Sequence, residues 1–266
     1  MLQVCVDFRD EVDELHGFLR TLAPEDWERE TQFMTWSPWD VVAHLHYFDL
    51  VSISSLAGEE AFAPEREAIF KGVAAGRTNK EMARERFADL DAPALLEAWR
   101  EAAHGLAEAL GASDPKVRLP WFGPDMGIQM FTTARYMETW AHGQEIYDLV
   151  GAPRTHTDRI KNIATIGVKT FGWTFINRKQ EVPGAPPYVR LVAPSGEVWE
   201  WNEASDAECV RGDAVDFCRV VTQGRNVADT PLEVAGPVAT AWMEIAQCFA
   251  GGPVDPPAPG ARGPQR

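Results

Sequence analysis

Four cysteines are all that the 266 residues contain, and Cys5, Cys209, Cys218 and Cys248 are scattered with no C-x-x-C pair among them. That pattern fits reduced thiols in a cytoplasmic protein, each thiol serving as a small buried hydrophobe. Long apolar runs are missing as well, and no stretch is long enough to cross a bilayer. Positive charge is scarce: 25 Lys and Arg stand against 40 Asp and Glu, a net charge of -15, with no basic patch beyond a weak one at the extreme C-terminus. This balance argues against nucleic acid and against anionic membrane surfaces as partners. The first residues carry acids early and lack a basic flank followed by an apolar run, so no signal peptide is expected. No internal repeat is visible.

What is present is the material of a globular protein. Hydrophobic residues make up 45% and charged residues 24%, and ten Trp with thirteen Phe are ample for a sizeable core. The length allows one large domain or two modest ones.

The informative stretch is Ala134 to Glu145, which reads as the middle of a helix. Glu138 and His142 are four residues apart, so their side chains stand one turn apart on the same face, with Phe131, Arg135, Glu145 and Leu149. In most proteins such a pair is solvated or makes a polar contact between helices. It is also half of a metal site, and His44 is the best third donor. Two imidazoles and one carboxylate leave a coordination position open, as in a catalytic rather than a structural zinc site. His44 lies in a well-signalled helix: Ser37 suits the N-cap, Pro38 the first helical position and Asp40 a capping box, and Gly58 ends it. Val41, His44, Leu45, Phe48 and Val51 share its core side, and His46 faces elsewhere. A lone His on such a face is usually a core residue, so the ligand reading needs both helices.

Around these two helices the spacing predicts a first helix over 7–22, one or two helices over 64–88 with a break at Gly76 and Thr78, and another from Asp91 to Gly111. His16 and His104 sit in these helices with no visible partner, His16 read as a surface or packing residue and His104 as structural. Residues 114–125 are a Pro/Gly-rich loop carrying Trp121 and Phe122, with Met126 just after. Two readings stand for these three: the wall or lid of a cofactor pocket, or a plug at the end of a helical bundle. A helix capped by Thr155 or Thr157 runs to about Asn177, and residues 179–187 look like a linker. Beyond it the period changes to two: Tyr188–Val192 and Glu197–Trp201 form a hairpin, followed by a strand near 207–210, a helix over 213–223, a strand near 232–235 and a helix over 239–249. The expected organisation is therefore a helical domain over 1–178, a small α+β domain over 188–251 and a disordered tail over 252–266.

These residues carry a resemblance. Trp36, Asp40, His44 and Leu45 in one motif and Glu138 and His142 in the other resemble the DinB-like four-helix metal-binding proteins, and within them the mycothiol-dependent maleylpyruvate isomerases of actinobacteria. Val210 to Asp213, Gly224-Arg225 and Val234 to Gly236 resemble the small α+β domain that follows in those isomerases. The run from Trp121 to Met126, with Ala134 to Glu145, also looks like a subgroup known only as metal-binding, with no reaction to carry over. The resemblance implies an α+β fold, a DinB-like four-helix bundle followed by that small domain. It implies His44, Glu138 and His142 as ligands of a divalent metal, usually zinc. The family often has Asp three residues after the second His. Glu145 stands there in this chain, a conservative departure that leaves its supporting role open. The implied partners are a small electrophile and a low-molecular-weight thiol such as mycothiol. Arg225 is the candidate for holding a carboxylate, its alternative being a surface Arg after a helix-ending Gly. Three functions stand: a mycothiol-dependent isomerase or S-transferase, a thiol-independent zinc hydrolase or lyase, and a metal-containing binding protein without turnover. Substrate and oligomeric state are not legible.

Overall fold

The structure is a computed structural model that describes residues 2–265, and these divide into two compact units, 2–150 and 151–265. The first unit holds six helices: α1 (Gln3–Leu19), α2 (Pro38–Leu56), α3 (Glu59–Ala74), α4 (Asn79–Arg86), α5 (Ala92–Ala112) and α6 (Ile128–Leu149). The four long ones form a bundle, with α1 and α2 each packed against α5 and α6. The short pair α3 and α4 bridges α2 to α5 and lies on α2. The predicted apolar spacing of α1 is what the bundle uses, since Phe8, Val12, Leu15 and Leu19 are all buried.

The start of α2 forms as its sequence dictates. Ser37 Oγ accepts the Asp40 amide at 3.3 Å, and Asp40 Oδ2 accepts the Ser37 amide at 2.9 Å. Asp40 is buried, and α4 supplies its charge partners, Lys80 at 3.1 Å and Arg84. Gly58, at φ 107°, takes the conformation that turns the chain out of α2 into α3.

The expected loop before α6 contains a small hairpin, β1 (Arg118–Leu119) and β2 (Met126–Gly127), antiparallel to each other. Ser55 Oγ donates to the Pro120 carbonyl at 2.6 Å and ties this segment to α2. All four cysteines are buried and none is in a disulfide.

The second unit opens with a single 3-10 turn (Asp158–Ile160), then α7 (Lys161–Lys169) and α8 (Phe171–Asn177). The one helix expected here is broken at Thr170, whose hydroxyl donates to the Ile166 and Gly167 carbonyls at 2.8 and 3.0 Å. A four-stranded sheet follows, β3 (Tyr188–Val192), β4 (Val198–Trp201), β5 (Cys209–Asp213) and β6 (Glu233–Ala235), in the order β4-β3-β5-β6. β3 pairs antiparallel with β4 and parallel with β5, and β5 pairs antiparallel with β6. α9 (Ala214–Val221) and α10 (Pro237–Met243) complete it, with Trp242 edge-on to Phe171 and Phe217 in the core.

Two expectations are corrected here. The division falls at 150/151 and not near 178–188, because α7 and α8 pack on α9 and α10. The Pro/Gly-rich tail is not disordered but is held as a strap on the second unit. Arg178 pairs with Asp255 at 2.7 Å, Asn226 Nδ2 donates to the Pro257 carbonyl at 2.8 Å, the Gly260 amide donates to Asp229 at 2.9 Å, and Arg262 donates to the Gln223 carbonyl at 2.8 Å. Composition predicts poor burial for such a segment, but here its backbone polar groups are satisfied by side chains of the unit beneath.

Candidate metal centre

The three donors come from two neighbouring helices of the first unit. α2 carries His44, and α6 carries Glu138 and His142 one turn apart. His44 Nε2 and His142 Nε2 each stand 3.4 Å from the same Glu138 oxygen, Oε2. The three donor atoms lie within 4.8 Å of one another, and among the described residues this is the one group of three or more His, Cys, Asp or Glu side chains so arranged.

That geometry fits a divalent ion better than a set of hydrogen bonds. Ligand atoms about 2.0–2.1 Å from a tetrahedral ion stand about 3.3–3.4 Å apart. A hydrogen bond to a carboxylate prefers about 2.7–2.9 Å. Two of the three donor separations are thus at ion-bridging distance, and the whole set within 4.8 Å matches two histidines and one carboxylate gathered for an ion. The cluster is not sealed: side-chain exposure is 9% for His44, 12% for His142 and 24% for Glu138. Approach is open on the Glu138 side, as a site with a free coordination position requires.

Electrostatics prepare the donors. Burial lowers the His44 pKa to about 4 against the opposing pull of Glu138, so its ring is neutral at neutral pH and offers a lone pair. Burial alone would raise the Glu138 carboxyl. The contacts from His142 and His44 outweigh it and hold this group well below the ordinary carboxylate range.

Aromatic rings fix the two imidazoles. Trp36 stacks on His142 with centroids 5.4 Å apart and an interplanar angle of 12°, and its ring lies 4.9 Å from that of His44. Phe33 meets His142 edge-on at 5.0 Å, and Phe48 meets His44 at 4.8 Å. The loop that aims Phe33 and Trp36 holds two successive left-handed residues, Met34 (φ 49°) and Thr35 (φ 56°), and is closed by the Thr31 amide donating to the Trp36 carbonyl at 2.8 Å. Left-handed backbone without glycine is uncommon, and here it lies in the segment that braces the site.

The remaining predicted residues fall in different places. His46 packs against Phe87 at 4.7 Å, outside the cluster, as its rotation on α2 requires. Glu145 is buried on α6 three residues beyond His142 and is not one of the three clustered donors. Trp121 stacks on Phe62 at 5.8 Å and meets Phe131 edge-on at 4.9 Å, so it packs into the bundle. Phe122 reaches Phe48 at 6.2 Å, and through that ring it adjoins His44. Met126 pairs with Leu119 in the small hairpin. Thus Trp121 packs among rings of the bundle, and Phe122 adjoins the Phe48 ring that packs on His44. Arg225 belongs to the second unit, is buried there, and donates from Nη1 to the Gly224 carbonyl at 2.7 Å.

Sequence reasoning missed the buried pair behind the donors, although its spacing was available. Arg135 precedes Glu138 by three residues and Asp49 follows His44 by five, and Arg135 Nε donates to Asp49 Oδ1 at 2.9 Å. Burial pushes the Asp49 carboxyl above its ordinary value, while Arg135 and the Trp99 indole pull it the other way.

Fold and site together define a class: a four-helix bundle with a two-histidine, one-carboxylate cluster on adjacent helices, in a chain that continues into a small α+β unit. Residues 8–147 match the family described as the mycothiol maleylpyruvate isomerase N-terminal domain. The chain belongs to that family. It is 35% identical over 247 residues to an uncharacterised protein of Mycobacterium tuberculosis strain H37Rv, and equally so to one of strain CDC 1551 / Oshkosh, covering 93% of this chain and 95% of each relative. Crystal structures of mycothiol-dependent maleylpyruvate isomerase and of a histidine-to-alanine mutant share the fold. Their TM-scores are 0.51 and 0.52 at 13% identity, over 82% of this chain and 87% of theirs.

Proposed function

We propose that the protein is a divalent-metal enzyme, using zinc, that activates a low-molecular-weight thiol such as mycothiol for isomerisation of, or S-transfer to, a small electrophile. The observation that supports this reading is the convergence of two imidazole nitrogens on one Glu138 oxygen at 3.4 Å, in a cluster open on one side. The thiol named for the structural relatives comes to this chain as part of the proposal, because the family is shared.

A divalent cation at this site lowers the pKa of a thiol or water that reaches it. The chain's own residues do the rest. His44 and His142 present nitrogen lone pairs, and Glu138 contributes the single negative charge of the set, leaving a net positive centre that favours a thiolate. Trp36, Phe33 and Phe48 keep both rings in place and reduce water beside them. Phe122 provides an apolar wall. Glu145 is proposed to support the α6 end of the site from outside the donor set. Arg225 is proposed to grip a carboxylate through its guanidinium fork. Arg225→Lys, which keeps the charge and loses the fork, should then raise the KM for an acidic substrate more than it lowers kcat.

The expected result is about one divalent ion per chain by elemental analysis. Adding mycothiol to the cobalt-loaded protein should produce a near-ultraviolet sulfur-to-cobalt charge-transfer band. Turnover of an electrophile should stop when the thiol is omitted. A protein that neither retains nor takes up zinc sinks the metal reading. Turnover indifferent to thiol, with no band, points to the thiol-independent hydrolase or lyase. A ligand held tightly and never converted points to a binding protein.

A further inference from the structure

One turn behind the three donors, α2 and α6 share a buried ion pair that the proposed reaction does not use. Arg135 Nε donates to Asp49 Oδ1 at 2.9 Å, and Arg135 Nη2 reaches the Leu45 carbonyl at 3.4 Å. Trp99 Nε1, from α5, donates to Asp49 Oδ2 at 3.1 Å. Side-chain exposure is 4% for Arg135 and 0% for Asp49. Leu45 follows His44 directly, and Arg135 precedes Glu138 by three residues. The pair is thus attached, on each helix, to the residues that carry the donors.

A guanidinium enclosed here creates an electrostatic problem. Its residue stands three positions, about 4.5 Å along the helix axis, before a carboxylate that helps gather a cation. Like charges at such range interact strongly where water is excluded. Among the described residues, Asp49 is the one carboxylate in an ion pair with Arg135.

We propose that Asp49 is a positioning residue that sets the cation affinity of the His44–Glu138–His142 site. Its charge cancels that of Arg135, and its hydrogen bonds from Trp99 and Arg135 hold the guanidinium on the Leu45 carbonyl instead of letting it turn toward Glu138. The inference rests on the reading of those three donors as a divalent-metal site.

The charge account and a merely structural clasp predict different patterns. A clasp loses its grip when either partner is removed, so both single variants should weaken metal binding alike. The charge account is asymmetric. Asp49→Asn keeps the shape and leaves Arg135 uncompensated beside the cation. Arg135→Met removes the positive charge and leaves a carboxyl that either takes a proton or faces the cation, and neither form repels it.

The test is zinc titration of the full chain against a chromophoric chelator, with circular dichroism as a check of folding. For Asp49→Asn the Kd should rise by about tenfold or more, from an uncompensated buried charge one turn away. Arg135→Met, and the double variant Asp49→Asn with Arg135→Met, should stay within about threefold of the parent, since a buried pair can often be replaced as a unit without loss. Cobalt spectra should show the same ligand field in parent and double variant. Parent-like binding by Asp49→Asn overturns the inference, as does tenfold weakening in Arg135→Met or in the double variant. If Asp49→Asn does not fold, the other two variants decide by the same limits. If the parent binds no zinc, the metal reading itself falls and takes this inference with it. Binding by the parent without the asymmetry removes this inference alone.

Discussion

His44 and His46 stand two residues apart on α2 and are both buried, yet only His44 meets Glu138 and His142. A step of two residues turns a side chain by about 200° around the helix. The expected outcome is that His44→Ala loses zinc and His46→Ala retains it, checked by metal content of the two purified variants. Equal loss would show that the wrong histidine was chosen. His46 has a different consequence. Its pKa is lowered from 6.5 to about 4, by burial and then by the charge of Arg86. The unfolded chain therefore binds a proton between these values that the folded chain refuses. The stability contributed by the neutral buried ring is complete above pH 6.5 and is lost as pH falls toward 4. In metal-free protein, His46→Gln should flatten the fall in urea-unfolding free energy between pH 7 and 4.5 by roughly 3 kcal/mol or less. An unchanged slope would show that His46 does not carry it. At this scale the sequence pointed to the three donors that cluster, but not to the partners of other histidines. His16 meets Glu97 and His104 meets Asp13, each at 2.9 Å, and each pair joins α1 to α5. Such pairs are separated by many residues, and no local spacing announces them.

Elements were legible where a local rule dictates them. The capping box at Ser37, the break at Gly76 and Thr78, the hairpin of β3 and β4 and the apolar stripe of α1 are all set by residues within a few positions of one another. α6 is the opposite case. It is buried over most of its surface, and its buried residues include Arg135, Gln144, Glu145 and Asp148 beside Trp140 and Leu149. A helix buried over most of its surface, with polar groups among the buried ones, shows little apolar stripe. Its role had to be read from Glu138 and His142 themselves. α10 stops at Met243 although apolar residues continue, because the chain turns so that the Cys248 amide donates to the Val221 carbonyl at 3.0 Å. The turn before α10 offers a sharp test. Gly236 has φ 89°, and a Cβ there would lie 2.2 Å from the Ala207 carbonyl oxygen. Gly236→Ala meets both strain and a backbone clash and should destabilise the second unit by about 2 kcal/mol or more. Thermal or urea unfolding measures it, and a parent-like midpoint would refute the clash.

For the whole molecule, the change of period from helical to alternating near Tyr188 falls inside the second unit and does not mark its start at Gly151. The helices over 161–177 look like more of the bundle in sequence, and only their packing on α9 and α10 assigns them to the second unit. The donor arrangement of the first unit has a further consequence. His44 and Glu138 lie 94 positions apart along the chain. An ion gripping both is a cross-link that closes that span, and unfolding the bundle must release it. Under the proposed function, a bound ion would act as a reversible staple whose strength is set by its free concentration. The unfolding midpoint of the bundle should climb steadily with free zinc, by about 1.4 kcal/mol of added stability for each tenfold increase above the Kd. His44→Ala should flatten that climb, and calorimetry across a buffered zinc series would record it. A cell that runs short of zinc would then hold a less stable bundle, and not merely an inactive one.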